Sequence, residues 1–241
     1  MSSACTARTP AACAWLRSTA RTSTTCASRL PRWSDLDAEA ALDRRFVTEA
    51  LQNPHNAAIL ARLPLLGLPD AWLVAGCLFQ TVWNLRSGWA PTAHIKDYDL
   101  FYFDAADVSQ AAEHAVQGRV AALFADLPIT VEAKNQARVH LWYEQWFGFP
   151  YDALQSARNG IERFLVPCTC VGLQPGAAAG APTLYAPYGL TELYAGILRP
   201  NPQCPHLPLF QAKAASYRHR WSWLQIQDAQ DTKTEQAGLS P

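Results

Sequence analysis

The sequence lacks any apolar run long enough to cross a bilayer. The longest, such as Ala71–Ala75 and the charge-interrupted Ile161–Val166, fall far short of the roughly 20 residues a spanning helix needs. A soluble, cytoplasmic protein with no membrane partner is therefore expected. An excess of either charge is also missing: Lys+Arg and Asp+Glu both total 20, so any site for a polyanion has to be local. There is no even cysteine framework and no secretory signal. Seven cysteines at irregular spacings read as reduced thiols. The first 34 residues contain no Asp or Glu and five Arg, with a surplus of Ser, Thr and Ala. That composition is like a transit peptide without amphipathic periodicity, and residues 1–34 are expected to be a disordered or mis-assigned extension outside the fold. No internal repeat is visible.

What remains is long enough to bury one real core. A single domain is expected over 35–224, with a core of about 63–137, a closing region of about 138–224 and a flexible tail over 225–241. Asp35 can cap a helix running to Leu51, and Asn53 or Asn56 can start a second that runs to Leu63. Ala71–Ala75 reads as a short strand ending at Gly76, followed by a helix with Leu78, Val82 and Leu85 on one stripe and Gln80 and Asn84 on another. Ile95–Phe103 and Ile129–Lys134 alternate as strands, and Ala105–Phe124 between them reads as a helix. Later, Ser156–Leu165 reads as helix, Cys168–Leu173 as strand and Pro175–Pro182 as linker. Leu207, Phe210, Ala214, Tyr217 and Trp221 form the core stripe of a last helix, with Lys213, Arg218 and Arg220 largely off it. The order of elements predicts an α/β fold: a mixed sheet flanked by helices, with a C-terminal α+β extension.

The chemistry gathers on two of these strands. In Ile95-Lys96-Asp97-Tyr98-Asp99-Leu100 the period of two puts Asp97 and Asp99 on one face, roughly 7 Å apart along the backbone. Two carboxylates held that close repel, and a divalent cation removes the repulsion. Magnesium is the expected occupant, with manganese as its substitute. Glu132 lies on the polar face of the other strand, with Thr130 and Lys134, and can supply a third carboxylate if the strands are neighbours. Such acids suit an in-line phosphoryl or nucleotidyl transfer.

The phrases Gly76-Cys77-Leu78-Phe79-Gln80-Thr81-Val82-Trp83-Asn84, Lys96-Asp97-Tyr98-Asp99, Lys134-Asn135-Gln136-Ala137-Arg138-Val139-His140-Leu141-Trp142-Tyr143 and Tyr188-Gly189-Leu190 resemble a family of bacterial nucleotidyltransferase-like proteins. That family lies within the polymerase-beta-type nucleotidyltransferase superfamily, and the resemblance covers roughly 40–224. It implies that Asp97 and Asp99 are metal ligands, that Glu132 is the third acid, and that Gly76 is where backbone amides meet nucleotide phosphates. Two departures stand out. Cys77 replaces the Gly or Ser that usually follows that glycine, and the segment from Gly76 to Asp97 is longer than usual, with Trp89 and Pro91 inside it.

Lys96, Lys134 and Arg138 are the nearby cations for a triphosphate, with Lys213 and Arg218 available from the last helix. Gln80 and Asn84 can read a base or ribose, or equally bond buried backbone. His94, His140 and Trp142 are read as exposed, core or rim residues. The expected activity is metal-dependent transfer of a nucleoside monophosphate from an NTP to an acceptor of unknown kind: a protein side chain, an RNA end or a small molecule. The alternative is a nucleotide- or partner-binding module without turnover. A third reading, a zinc site from Cys168, Cys170, Cys204 and His206, competes with a plainer one in which the first two are small buried side chains.

Overall fold

The computed structural model describes residues 33–176, 180–204 and 206–227. The extension expected over 1–34 and the tail beyond residue 227 lie outside them, apart from the two residues that open the first helix. Among the described residues eight α-helices and seven strands follow in this order. Helices α1 (Trp33–Ala50) and α2 (Pro54–Arg62) lead into β1 (Trp72–Val74), α3 (Gly76–Arg86), β2 (Asp97–Tyr102), α4 (Gln110–Leu123) and β3 (Thr130–Asn135). Then come α5 (Tyr143–Phe147), α6 (Ala157–Glu162), β4 (Gly172–Gln174), β5 (Thr183–Tyr185), α7 (Thr191–Ala195), β6 (Ile197–Leu198), α8 (Leu207–Arg220) and β7 (Gln225–Ile226).

Five strands make a mixed sheet in the order β3-β2-β1-β4-β5. β2 and β3 run parallel, with Asp97 opposite Thr130 and Asp99 opposite Glu132, and the other pairs are antiparallel. Alternation sorts the two faces. On one, Tyr98, Leu100 and Tyr102 of β2 join Val131 and Ala133 of β3 in the main core, which also takes in α2, α3, α4 and α8. On the other, Trp72, Val74 and Phe101 pack with Ala157 and Ile161 of α6 and with Phe164. Helix α6 comes this close because position 172 is glycine; a Cβ there would sit 2.8 Å from Ile161 Cδ1.

Helix α3 is the centre of the molecule, with Gly76–Asn84 all buried. Phe79 and Trp83 meet Tyr217 of α8 and Trp221 at its end edge to face, with ring centroids 5.3–5.5 Å apart. Such pairs contribute about 0.5–1.5 kcal/mol each beyond their buried area. Three asparagines fix this helix, Asn53 and Asn56 from outside it and Asn84 from within. Asn53 caps α2 by accepting from the His55 amide at 3.0 Å, while its Nδ2 donates to Thr81 Oγ1 and Tyr98 Oη, each at 3.2 Å. Asn56 Nδ2 donates to the Ala50 and Cys77 carbonyls at 2.9 Å. Asn84 Nδ2 donates to the Ala93 carbonyl at 2.6 Å and its Oδ1 accepts from Trp221 Nε1 at 3.1 Å, so it bonds buried structure and does not face a ligand.

Several sequence expectations are corrected. The helix expected from Ala105 starts at Gln110, because Asp104 and Asp107 take the amides of Ala106 and Ser109 in local turns before Ser109 caps the helix. The strand expected over Cys168–Leu173 is a 3-10 turn over Pro167–Thr169 and a strand only from Gly172. Cys168 packs into the main core and Cys170 into the smaller cluster, so the two thiols do not share a face. Among the described residues no three His, Cys, Asp or Glu side chains gather to hold a metal, which removes the zinc reading. Leu207, assigned to the core stripe, is exposed in the first turn of α8. Gln225 and Ile226, assigned to the tail, pair with β6.

Replacing Asn53 with Ala is expected to lower stability by about 2–3 kcal/mol, because it removes a helix cap and leaves Thr81 and Tyr98 hydroxyls short of a partner inside the core. Urea unfolding of the two proteins reads this directly, and a loss below 1 kcal/mol would contradict it.

Candidate active site

The site lies where β1 hands the chain to α3. Ala75, between them, has φ 59 and ψ −126, a conformation that costs an L-residue energy and turns the chain sharply enough to start a helix at Gly76. The Ala75 carbonyl accepts from the amides of Leu78 and Phe79, which leaves the first amides of α3 directed out of the helix end. β2 lies beside β1, with Asp99 in register with Val74. Asp97 and Asp99 therefore stand on the sheet face next to that helix end. Phe164 covers Phe101 further along the same strand at 5.6 Å, but the acids lie nearer the strand start and line an open cavity.

This cavity has a volume of about 340 Å³. Its walls come from four places: Ala75, Gly76 and Gln80 at the start of α3; Asp97 and Asp99 on β2; Tyr143 and Phe147 on α5; and Lys213 and Tyr217 on α8. Arg163, Phe164 and Thr169 close its remaining side. Burial pushes the Asp99 carboxyl up to about 6, and the neighbouring Asp97 and Glu132 charges push the same way, against Lys134 and Lys213. The lining carries two acids, Asp97 and Asp99, and two cations, Arg163 and Lys213.

The expected site residues separate in space. Gly76, Gln80, Asp97 and Asp99 meet at this cavity. Glu132 is the register partner of Asp99 and adds to its potential, but its carboxylate lies 3.4 Å from Lys134 Nζ. It forms no three-acid cluster with the aspartates, so a tight triad is not what the side chains make. Lys134 is thereby occupied at the sheet edge. Arg138 is half-buried elsewhere: it pairs with Glu113 and donates to the Val108 carbonyl at 3.1 Å, tying α4 to the turn after β3. Lys96 lines a second cleft, which shares Asp97 with this one. The Cys77 side chain is fully buried and donates to the Val74 carbonyl at 3.4 Å, leaving only its backbone to reach a ligand. Its thiol is raised well above the usual range, by burial and then by Asp99, so it is no nucleophile.

Sequence reasoning missed Tyr143 and Phe147, on the five-residue helix α5, and Arg163 and Thr169, in the segment that follows α6. It named Lys213 only as a cation within range; the helical step from Tyr217, whose ring the ammonium approaches at 5.5 Å, would have placed it beside the core stripe.

Residues 61–226 match a family model described as nucleotidyltransferase. A solved structure described as "The NMR structure of the protein reveals a CCA-adding enzyme head domain" is 27% identical and superposes with a TM-score of 0.63, covering 77% of this chain and 96% of that one. No curated protein matches the chain.

The raised Asp99 carboxyl carries a stability prediction. A carboxyl lifted from 3.8 to about 6 binds its proton more tightly in the folded state, so folding gains stability as the pH falls through that window and loses it as the pH rises. In chelator-treated buffer at pH 7.5, Asp99→Asn should therefore be more stable than the parent, by on the order of 2 kcal/mol. The gain should shrink toward zero as the pH drops to about 4. Thermal unfolding across pH measures both, and a variant less stable than the parent at pH 7.5 would refute the assignment.

Proposed function

The chain belongs to the nucleotidyltransferase family, and from that membership we propose that it transfers a nucleoside monophosphate from an NTP to an acceptor, using a divalent metal held by Asp97 and Asp99. The observation that carries the reading is the placement of two carboxylates beside the open amide end of α3, on a cavity wall where burial and mutual repulsion raise the Asp99 carboxyl. Oxygen-only ligands suit magnesium, with manganese as the substitute. When bound, the ion supplies charge neutralisation at the reacting phosphate.

The residues of the chain do the rest. The Gly76 and Cys77 amides receive phosphate oxygens at the positive end of a helix, and Lys213 adds a mobile cation across the cavity. Tyr143 and Phe147, whose ring centroids lie 4.6 Å apart at a tilt of 40°, offer an aromatic wall for a base. Asp97 or Asp99 accepts the proton of the attacking hydroxyl, and Glu132 keeps the local potential negative through its effect on Asp99.

One observation favours a second reading, a nucleotide-binding module without turnover. The first turn of α3 carries a buried thiol in place of an exposed hydroxyl, which removes a side-chain donor from the phosphate site. Incubation with each NTP and magnesium or manganese, following pyrophosphate release and label transfer, separates the two: release supports the enzyme, and binding alone supports the module.

Asp97→Asn and Asp99→Asn should each reduce metal-dependent NTP binding at least tenfold while leaving the protein folded, since the change relieves repulsion. Calorimetric titration of the nucleotide with and without magnesium measures it. Full magnesium-dependent binding in either variant would remove Asp97 and Asp99 from the metal site.

A further inference from the structure

A second cleft, of about 460 Å³, adjoins the first at Asp97. It shares Gln80, Asp97 and Lys213 with the first cavity and adds His94, Lys96, Ser216, His219 and Arg220. Asp97 is the only acid in its lining, against two lysines, one arginine and two imidazoles. The ion pairs formed among the described residues lie elsewhere and include none of these cations. Arg220 is held by neutral partners, donating to Gln80 Oε1 at 3.0 Å and lying 4.5 Å from the Trp221 ring centroid. Burial lowers its pKa from the usual arginine value, as expected for a cation in a low-dielectric wall with no counter-charge. Lys213, Ser216 and Arg220 fall at steps of three and four on α8, so one helix face presents them together.

Position in the reaction then assigns the cleft. In an in-line displacement the attacking and leaving oxygens lie on opposite sides of the transferred phosphorus. The α3 amide end, the natural seat of the leaving pyrophosphate, opens only into the first cavity, since Ala75 and Gly76 line that cavity and not the second. The nucleophile then has to approach away from that amide end, and the second cleft, which meets the first at Gln80, Asp97 and Lys213 and lacks Ala75 and Gly76, is the adjoining opening that does so.

We propose that the second cleft seats the acceptor, and that the acceptor bears a phosphate close to the hydroxyl that attacks. The inference rests on the nucleotidyltransferase reading above. In the step, the acceptor oxygen forms a bond to the α-phosphorus and the bond from that phosphorus to the bridging oxygen breaks. Pyrophosphate leaves with the electron pair, and the hydroxyl proton passes to Asp97 or Asp99 and then to water. Lys96, Lys213 and Arg220 hold the acceptor phosphate as point charges or a fork.

The test uses the full chain with magnesium and a nonhydrolysable NTP. Two probes carry phosphate, a fluorescently labelled pentaribonucleotide with a free 3′ hydroxyl and ribose 5-phosphate; plain ribose is the control. At least one phosphate-bearing probe should bind, with affinity falling as salt rises, and ribose should not. Which of the two binds tells a nucleic-acid end from a phosphorylated small molecule. The double variant Ser216→Glu with His219→Glu, both exposed on α8, should weaken that binding at least tenfold and change NTP binding less than twofold. The single variant His219→Glu carries the same comparison if the double one folds poorly. The idea is overturned if ribose binds as well as its phosphate, if neither phosphate probe binds while the NTP does, or if the acidic variant loses NTP to the same degree. Phosphate binding without any NTP binding would sink the nucleotidyltransferase reading and leave the anion preference of the cleft standing.

Discussion

The molecule depends on the alternation of β2. Tyr98, Leu100 and Tyr102 are all at most 2% exposed, and burying side chains of that size contributes about 1.5–3 kcal/mol each. Two carboxylates two residues apart at a partly wet surface repel by only a few kcal/mol. The aromatic half of the strand therefore wins, and the strand holds Asp97 and Asp99 together on the opposite face whether or not a cation is present. Cover on that face is partial: Phe164 reaches Phe101, and β2 begins beyond the reach of α6. The acids stay open to a ligand because the second layer is too short to hide them.

The other wall of the site is made rigid by a different device. The first turn of α3 is held through Asn56 to the Cys77 carbonyl and through Asn53 to Thr81, and the loop that follows α3 is tied back by Asn84 and by Thr81 to the Pro91 carbonyl at 3.2 Å. The longer segment between Gly76 and Asp97 is thus absorbed as packing, with Trp89 against His94 at 4.9 Å and near Trp221. One surface of the site is built from a helix that cannot move without breaking several buried hydrogen bonds. The facing surface is α8, whose Lys213 and Arg220 lie over the Tyr217 ring at 5.5 and 5.4 Å.

How much of this was legible depends on the range of the interactions. Asp97 and Asp99 could be read from a period of two, and α3 from its stripe, because both signals are local. The mixed sheet flanked by helices followed from the element order. Arg138 shows the limit: its spacing after Lys134 places it near the acids in sequence, yet Glu113, on a helix 25 residues earlier, takes the guanidinium. Glu132 shows it again, since its face and register are as the alternation requires while its carboxylate turns to Lys134, a neighbour on its own strand. Strands β4 to β7 have two or three residues each, too few for a pattern, and exist because longer elements present them with a partner. Tyr143, Arg163 and Thr169 reach the cavity for the same reason.

The buried thiol of Cys77 links these points. Where a serine hydroxyl would reach a phosphate, this chain places sulfur against the Val74 carbonyl, inside the core and under the sheet. Phosphate recognition on that side is left to backbone amides, which carry partial charge and no net charge. The balancing charge has to come from across the cavity, and Lys213 is the cation there that touches both clefts and lowers the Asp99 carboxyl from the far side. In the proposed reaction, the missing donor in the first turn of α3 shifts the burden of phosphate binding onto the last helix, which would make the C-terminal segment part of the chemistry as well as of the core.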